Sequence, residues 1–271
     1  MIKKLSFWII VIGLVVLWMV PFYSTVITSV KSFDEIMYGN IWNLPRRILF
    51  SNFVDAWRIG RMSRYSLNSL IIVIPSLLGA LFFSSLAAYA LARYDFKGNQ
   101  LILITFLGFN LLPPQIFLIP VFRLTNFLRI YNSYFALIIF HIAFNSGFCT
   151  FFLRNFMKTI PSEIIDAARI DGTSEFGIYA RIALPLTIPA IAALGAMVFT
   201  WIWNDYIWAI TLLRTDELKP ITAGLASLQG RHYTSWGMQN AGTLIAVLPT
   251  ILVFLFAQRY FVKGLTLGAG K

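Results

Sequence analysis

The sequence predicts an all-α integral membrane protein with about six spanning helices. Three observations predict it. Of the 271 residues, 58% are hydrophobic and only 12% are charged, whereas a soluble domain carries roughly 25% charged residues. The mean hydropathy is +0.75, which suits an exterior facing lipid rather than water. Finally, the apolar residues gather into stretches of about 20 or more, the length that crosses a hydrocarbon core.

The elements follow in order. Lys3 and Lys4 precede an apolar stretch over residues 7–30. It is too long for the apolar region of a signal peptide, and no small-residue cleavage site follows, so it is expected to be the first span. Further spans are expected at 67–91, 101–122, 134–153, 186–213 and 241–261. Charges such as Arg64, Arg93, Arg123, Arg154, Arg214, Arg259 and Lys263 bound them. Pro75, Pro113, Pro114 and Pro249 fall inside, as membrane helices tolerate when neighbours satisfy the freed carbonyls. Small residues recur in the second span (Gly79, Ala80, Ser84, Ser85, Ala87, Ala88) and the fifth (Ala190, Ala192, Ala193, Gly195, Ala196). They are read as close-packing faces.

Composition also excludes function classes. The single cysteine, Cys149, rules out an intrachain disulfide and reads as a small buried residue. His141 and His232 lie far apart, and no Cys/His/carboxylate cluster has metal-ligand spacing, so no metal site and no catalytic residue is expected. The net charge of +11 sits between apolar segments, which points to lipid headgroups and not to nucleic acid. The 22 Lys and Arg residues divide equally between the two sides for either orientation, so charge bias leaves the topology open. Lys31, Arg46, Arg47, Arg58, Arg61 and Arg64 crowd the segment between the first two spans, where an interfacial helix is expected.

The most charged continuous stretch follows the fourth span. It carries Glu163, Asp166, Asp171 and Glu175 against Lys158, Arg169 and Arg181. Thr159 is placed to cap a helix, Pro161 suits its first turn, Glu163 complements its dipole, and Gly172 stops it. On that helix Ile164, Ala167 or Ala168, and Asp171 share a face. The two alanines would leave a smooth patch, suited either to a groove on a partner protein or to an interfacial helix on headgroups.

These residues resemble the EAA loop of binding-protein-dependent ABC importer permeases, in which an E-A-A core precedes a glycine and an L-P-L-x-x-P ending. Here the core is Asp166-Ala167-Ala168, followed by Asp171-Gly172, Leu184-Pro185-Leu186 and Pro189. Asp166 stands where the pattern has Glu, which keeps the charge and shortens the reach by one methylene. Asn68-Ser69, the run Ala87 to Arg93, Trp203-Asn204-Asp205-Tyr206, and the run Gln258 to Thr266 are similar to the carbohydrate branch of the family, of the maltose-transporter type. The resemblance implies one transmembrane domain over 1–271, with a family-like core of about 62–262, a coupling loop at 158–185 and the type I ABC importer permease fold.

It also implies partners and sites. Glu163, Asp166, Ala167, Ala168, Asp171 and Gly172 would form a cytoplasmic helix that couples to the ATPase. This chain would bind no cofactor; ATP and Mg would be used by two nucleotide-binding subunits. A second homologous permease subunit, an extracytoplasmic solute-binding protein and the lipid bilayer of a prokaryotic cytoplasmic membrane complete the set. Gly268, Gly270 and Lys271 look like a fragment of a phosphate-binding loop, yet position 265 is Leu and no Ser or Thr follows the lysine. The tail would either reach the ATPase interface or fray. Asp205 is an acidic residue inside an expected span, among Trp201, Asn204 and Trp208. With Asn145 it is a candidate for the translocation path of a sugar, for helix packing, or for an interfacial position. Asn110 and His141 are weaker candidates for the same cavity. The competing functions are an ion-gradient-driven secondary transporter and an intramembrane enzyme. The first leaves the charged loop unexplained, and the second lacks a nucleophile–base pair at membrane depth.

Overall fold

The computed structural model describes residues 2–228 and 235–268, with side chains from residue 4 onward except at 5 and 260–268. Among these residues every regular element is helical. In chain order they are α1 (Ile2–Ser29), α2 (Phe33–Met37), α3 (Ser51–Arg58), α4 (Met62–Arg93), α5 (Asn99–Leu111), a 3-10 turn at Pro114–Phe117 and α6 (Leu118–Phe127). There follow α7 (Tyr134–Met157), α8 (Ser162–Ile170), α9 (Glu175–Ile178), a π-helical turn at Tyr179–Ala183 and α10 (Leu184–Trp203). The last are α11 (Ile207–Leu212), a 3-10 turn at Asp216–Leu218, α12 (Ile221–Ser227) and α13 (Trp236–Gly268).

Among the described residues five helices are long and apolar enough to span a membrane, and a sixth span arises if the pair α5 and Pro114–Phe127 is counted as one. That pair corrects the expected straight helix over 101–122, because the chain bends by 97° between its halves. The cause is local. Leu112 is extended, at φ −78° and ψ 137°, as a residue before proline prefers, and Pro113 and Pro114 together cannot donate to the preceding turn. Pro75, Pro189 and Pro249 stay inside continuous helices.

The expected fifth span, 186–213, is also corrected at both ends. Its helix already begins at Glu175 and runs through the π turn, where Leu184 N bonds to Tyr179 O, as far as Trp203. It then breaks at Asn204 to Tyr206 before α11 resumes. This 29-residue run is about 43 Å long at 1.5 Å per residue. A hydrocarbon core is about 30 Å thick, so the run is long enough to cross it.

Contacts divide the chain into two compact units, 1–67 with 221–249 and 68–220 with 250–271. In the first, α1 presents apolar side chains outward along its length, Leu17 and Trp18 among them, as a lipid-facing helix does. The connection after α1 is ordered by polar groups. Lys31 is buried and its ammonium donates to Asn40 O and Ile41 O, both at 3.1 Å. Ser32 and Glu35 form a capping box at the start of α2. This five-residue helix and α3 stand where one interfacial helix was expected.

In the second unit α7 is the central element, with Leu137, His141, Asn145, Cys149, Leu153 and Met157 buried. The small residues of α4 and α10 serve close packing. A Cβ added at Gly79 would lie 2.5 Å from Ile142 Cδ1, and Ser84 donates to Ser146 O at 3.1 Å. Asn68 ties the start of α4 to the segment after α11, donating to Glu217 O at 2.8 Å and Lys219 O at 2.9 Å and accepting from Tyr134 at 2.7 Å.

Candidate functional site

Two features at opposite ends of the Glu175–Trp203 run carry chemistry. The first is α8. Its start differs from expectation: Pro161 is the N-cap, with extended backbone, and Thr159 donates to Phe156 O at the end of α7. Its end is as expected. Gly172 adopts φ +76°, Gly172 N donates to Arg169 O, and Thr173 N donates to Ala168 O, each at 3.0 Å. These are the paired bonds of a Schellman motif, which a left-handed glycine permits at little cost.

The two adjacent alanines do not form one patch. Ile165 and Ala168 are buried against the protein's own chain, whereas Glu163, Ala167 and Ile170 lie along an exposed stripe at helical spacing. Ile164 and Asp171 flank it, and Ile170 is 86% exposed. A fully exposed isoleucine on a short polar helix gains nothing from water.

Both ends of α8 are fastened. Ahead of it, Arg93 at the end of α4 donates to Met157 O at 2.7 Å and Ile160 O at 2.9 Å. Behind it, Arg169 bridges Asp166 at 3.1 Å and Glu175 at 2.7 Å. Its guanidinium is held above its already high pKa, first by the hydrogen bond to Glu175. Glu175 also accepts the Tyr89 hydroxyl at 3.1 Å. The Tyr89 ring packs on Tyr179 at 5.5 Å, and the Tyr179 hydroxyl meets Ser85 Oγ at 2.7 Å. A polar chain therefore runs from α8 through the start of the long helical run into α4. Sequence reasoning missed Tyr89 and Glu175 as site residues, since they are 86 positions apart and no spacing rule pairs them.

The second feature is a cavity of about 240 Å³ at the break after α10. Phe140, His141, Asn145, Trp201, Asp205 and Trp208 line it. Trp201, Asp205, Trp208 and Asn145 are thus brought together, while Asn204 is exposed and lies outside the cavity lining. His141 joins the cavity, and Asn110 lines a separate, apolar one beside Phe106 and Phe109. Asp205 organises the break. Its carboxylate accepts from Trp208 N at 3.3 Å and Ala209 N at 3.1 Å, satisfying the first donors of α11. Trp208 stacks on Phe140 at 3.7 Å, and Trp201 meets Phe148 in a T-shaped contact at 5.2 Å. Among the described residues no cluster of three His, Cys, Asp or Glu could hold a metal ion. The candidate tail lies beyond these features: α13 ends at Gly268, and Gly270 and Lys271 fall outside the described residues, as does His232.

Residues 80–266 match the family described as binding-protein-dependent transport system inner membrane component. The chain is 34% identical over 267 residues to the probable ABC transporter permease protein YurM of Bacillus subtilis, covering 98% of this chain and 86% of that protein. It is 34% identical over 259 residues to the arabinooligosaccharides transport system permease protein AraQ of the same organism, covering 94% and 91%. Its fold is similar to a chain in the crystal structure of a bacterial ABC transporter involved in the import of the acidic polysaccharide alginate. That similarity has a TM-score of 0.83 and 23% identity over 96% of each chain.

Proposed function

This chain belongs to the ABC transporter permeases, as an inner membrane component of a binding-protein-dependent transport system, and we propose that it forms half of a saccharide importer's translocation pathway. A second homologous permease subunit supplies the other half. Two nucleotide-binding subunits hydrolyse ATP with Mg, and an extracytoplasmic binding protein delivers the solute. A sugar or oligosaccharide cargo is supported by the arabinooligosaccharide system of the AraQ relative.

In this reading α8 is the cytoplasmic coupling helix. The observation that carries it is the two-sided construction of α8, with Ile165 and Ala168 buried inward and Glu163, Ala167 and Ile170 turned outward. A helix that only lay on headgroups would need no fastening, yet α8 is tied at both ends by Arg93 and Arg169. ATP-driven closure of the nucleotide-binding subunits pushes on the outward stripe, and the ties convert that push into movement of α4 and the Glu175–Trp203 run. With α8 in the cytoplasm, the Asp205 cavity, at the other end of the Glu175–Trp203 run, lies toward the side on which a loaded binding protein releases solute.

The test is to replace Ala167 with Arg in the assembled complex and measure ATP hydrolysis stimulated by the loaded binding protein. Stimulation is expected to collapse. Unchanged stimulation with normal uptake would defeat the coupling role.

A further inference from the structure

The connection after α1 encloses a polar slot of about 300 Å³. Lys31, Asp34, Glu35, Tyr38, Asn43 and Arg46 line it. Bonds back to the end of α1 hold the connection in place. Leu49 N donates to Val30 O at 2.9 Å, and the Asn52 amide donates to Ser29 O at 3.0 Å and Lys31 O at 2.9 Å. The slot is preformed.

Its charges are unevenly satisfied. Lys31 is 3% exposed, and its ammonium has three donors. Two are filled, by Asn40 O and Ile41 O. Among the described residues no carboxylate pairs with it. A buried cation that meets only carbonyl oxygens is costly, so the remaining donor calls for an anionic oxygen. Glu35 does not supply it. Its carboxylate accepts from Ser32 N and Ser32 Oγ, both at 3.1 Å, and from Arg46 N at 2.6 Å. The Asp34 side chain is exposed and makes no hydrogen bond or ion pair among the described residues. The slot therefore offers one unfilled cationic donor and one free carboxylate.

Its surroundings put it at a membrane surface. α1 is a candidate span that turns apolar side chains outward along its length. Tyr23, six residues before the end of α1, donates its hydroxyl to Trp42 O at 3.0 Å. The chain at Trp42 thus folds back about 9 Å along α1, at 1.5 Å per residue. Ile41, Trp42, Leu44 and Ile48 are exposed there, and an indole at that depth is an anchor of the headgroup region. In water these four side chains would gain nothing; against lipid they are covered.

The two open charges define the headgroup. A phosphodiester oxygen completes Lys31, with Arg46 beside it, and a primary ammonium completes Asp34. Phosphatidylethanolamine carries both groups. Phosphatidylglycerol has no ammonium, and the ammonium of phosphatidylcholine has no N–H to donate. We infer that this slot binds the headgroup of a phosphatidylethanolamine, its phosphate on Lys31 and its ammonium on Asp34.

The test uses the full-length chain in its assembled complex, in nanodiscs of phosphatidylcholine, pure or mixed with phosphatidylethanolamine or phosphatidylglycerol. Tyr38→Cys, an exposed lining position, reports occupancy through its rate of maleimide labelling. Phe33→Cys, exposed and outside the lining, reports the bulk membrane. Phosphatidylethanolamine at a mole fraction about twice its dissociation constant should slow labelling at position 38 about threefold. Labelling at position 33 should not change, and phosphatidylglycerol should slow neither. Asp34→Asn should abolish the slowing, as should Lys31→Gln, which can still donate to Asn40 O; if Lys31→Gln does not assemble, Asp34→Asn decides alone. Equal labelling at position 38 in all three membranes, equal slowing at both positions, slowing by phosphatidylglycerol, or slowing that survives Asp34→Asn overturns the site. Equal protection by water-soluble glycerophosphoethanolamine in phosphatidylcholine nanodiscs would assign the slot to a soluble ligand and overturn it too.

Discussion

Arg169 Nε lies 2.7 Å from Glu175 Oε1 across the Gly172 turn, so the end of α8 and the start of the long helical run are joined by a charged bond. The pair is open to solvent, with side-chain exposures of 38% and 44%. Exposed pairs contribute about 0–1 kcal/mol to stability, so this one acts by holding geometry. Glu175→Gln should leave assembly and thermal stability nearly unchanged while binding-protein-stimulated ATP hydrolysis and uptake fall several-fold. Tyr89→Phe, which removes only the hydroxyl that reaches Glu175, should act in the same direction and more weakly. Full coupling in Glu175→Gln would show that the clasp transmits nothing.

Gly172 allows a different kind of test. A Cβ added there meets nothing within 4 Å, and its φ is +76°, so any cost of substitution comes from the backbone alone. Gly172→Val should cost about 1–2 kcal/mol locally, read as faster hydrogen exchange across residues 168–173. Gly172→Asn should be milder, because Asn tolerates the left-handed region. Equal exchange in all three proteins would contradict the Schellman geometry.

In the first unit, Gly224 lies against Tyr65, and an added Cβ would fall 2.1 Å from Tyr65 Cδ2. Gly224→Ala is expected to destabilise by about 1–3 kcal/mol through overpacking, seen as a lowered melting temperature in detergent. Adding Tyr65→Ala should recover part of that loss if steric conflict is its cause. Losses that simply sum would assign the effect elsewhere.

The spans were legible because their apolar runs are long and their charged borders clear. The interruptions were harder to read. Pro75 and Pro249 sit in continuous helices while Pro113-Pro114 breaks one, and only the adjacency of two prolines before a turn distinguishes them. Asp205 looked like a carboxylate inside a span. It instead caps the helix restarted after a break, a role visible only once the hydrogen bonds to Trp208 and Ala209 are known. The α8 motif was legible as a motif, but its facing was not. Ala167 and Ala168 are chemically identical, and tertiary packing of Ile165 decides which of them turns inward. The Arg169–Glu175–Tyr89 chain depends on residues from separate helices and has no local signal.

The most direct measurement places a benzophenone crosslinker on Ala167→Cys or Ala168→Cys in the assembled importer. Cys149 is fully buried and should stay unlabelled. Photocrosslinking from position 167 should capture the nucleotide-binding subunit, and position 168, 8% exposed, should resist labelling. Capture from 168 but not 167, or labelling of 167 by a reagent confined to the outer side, would contradict the coupling role of α8.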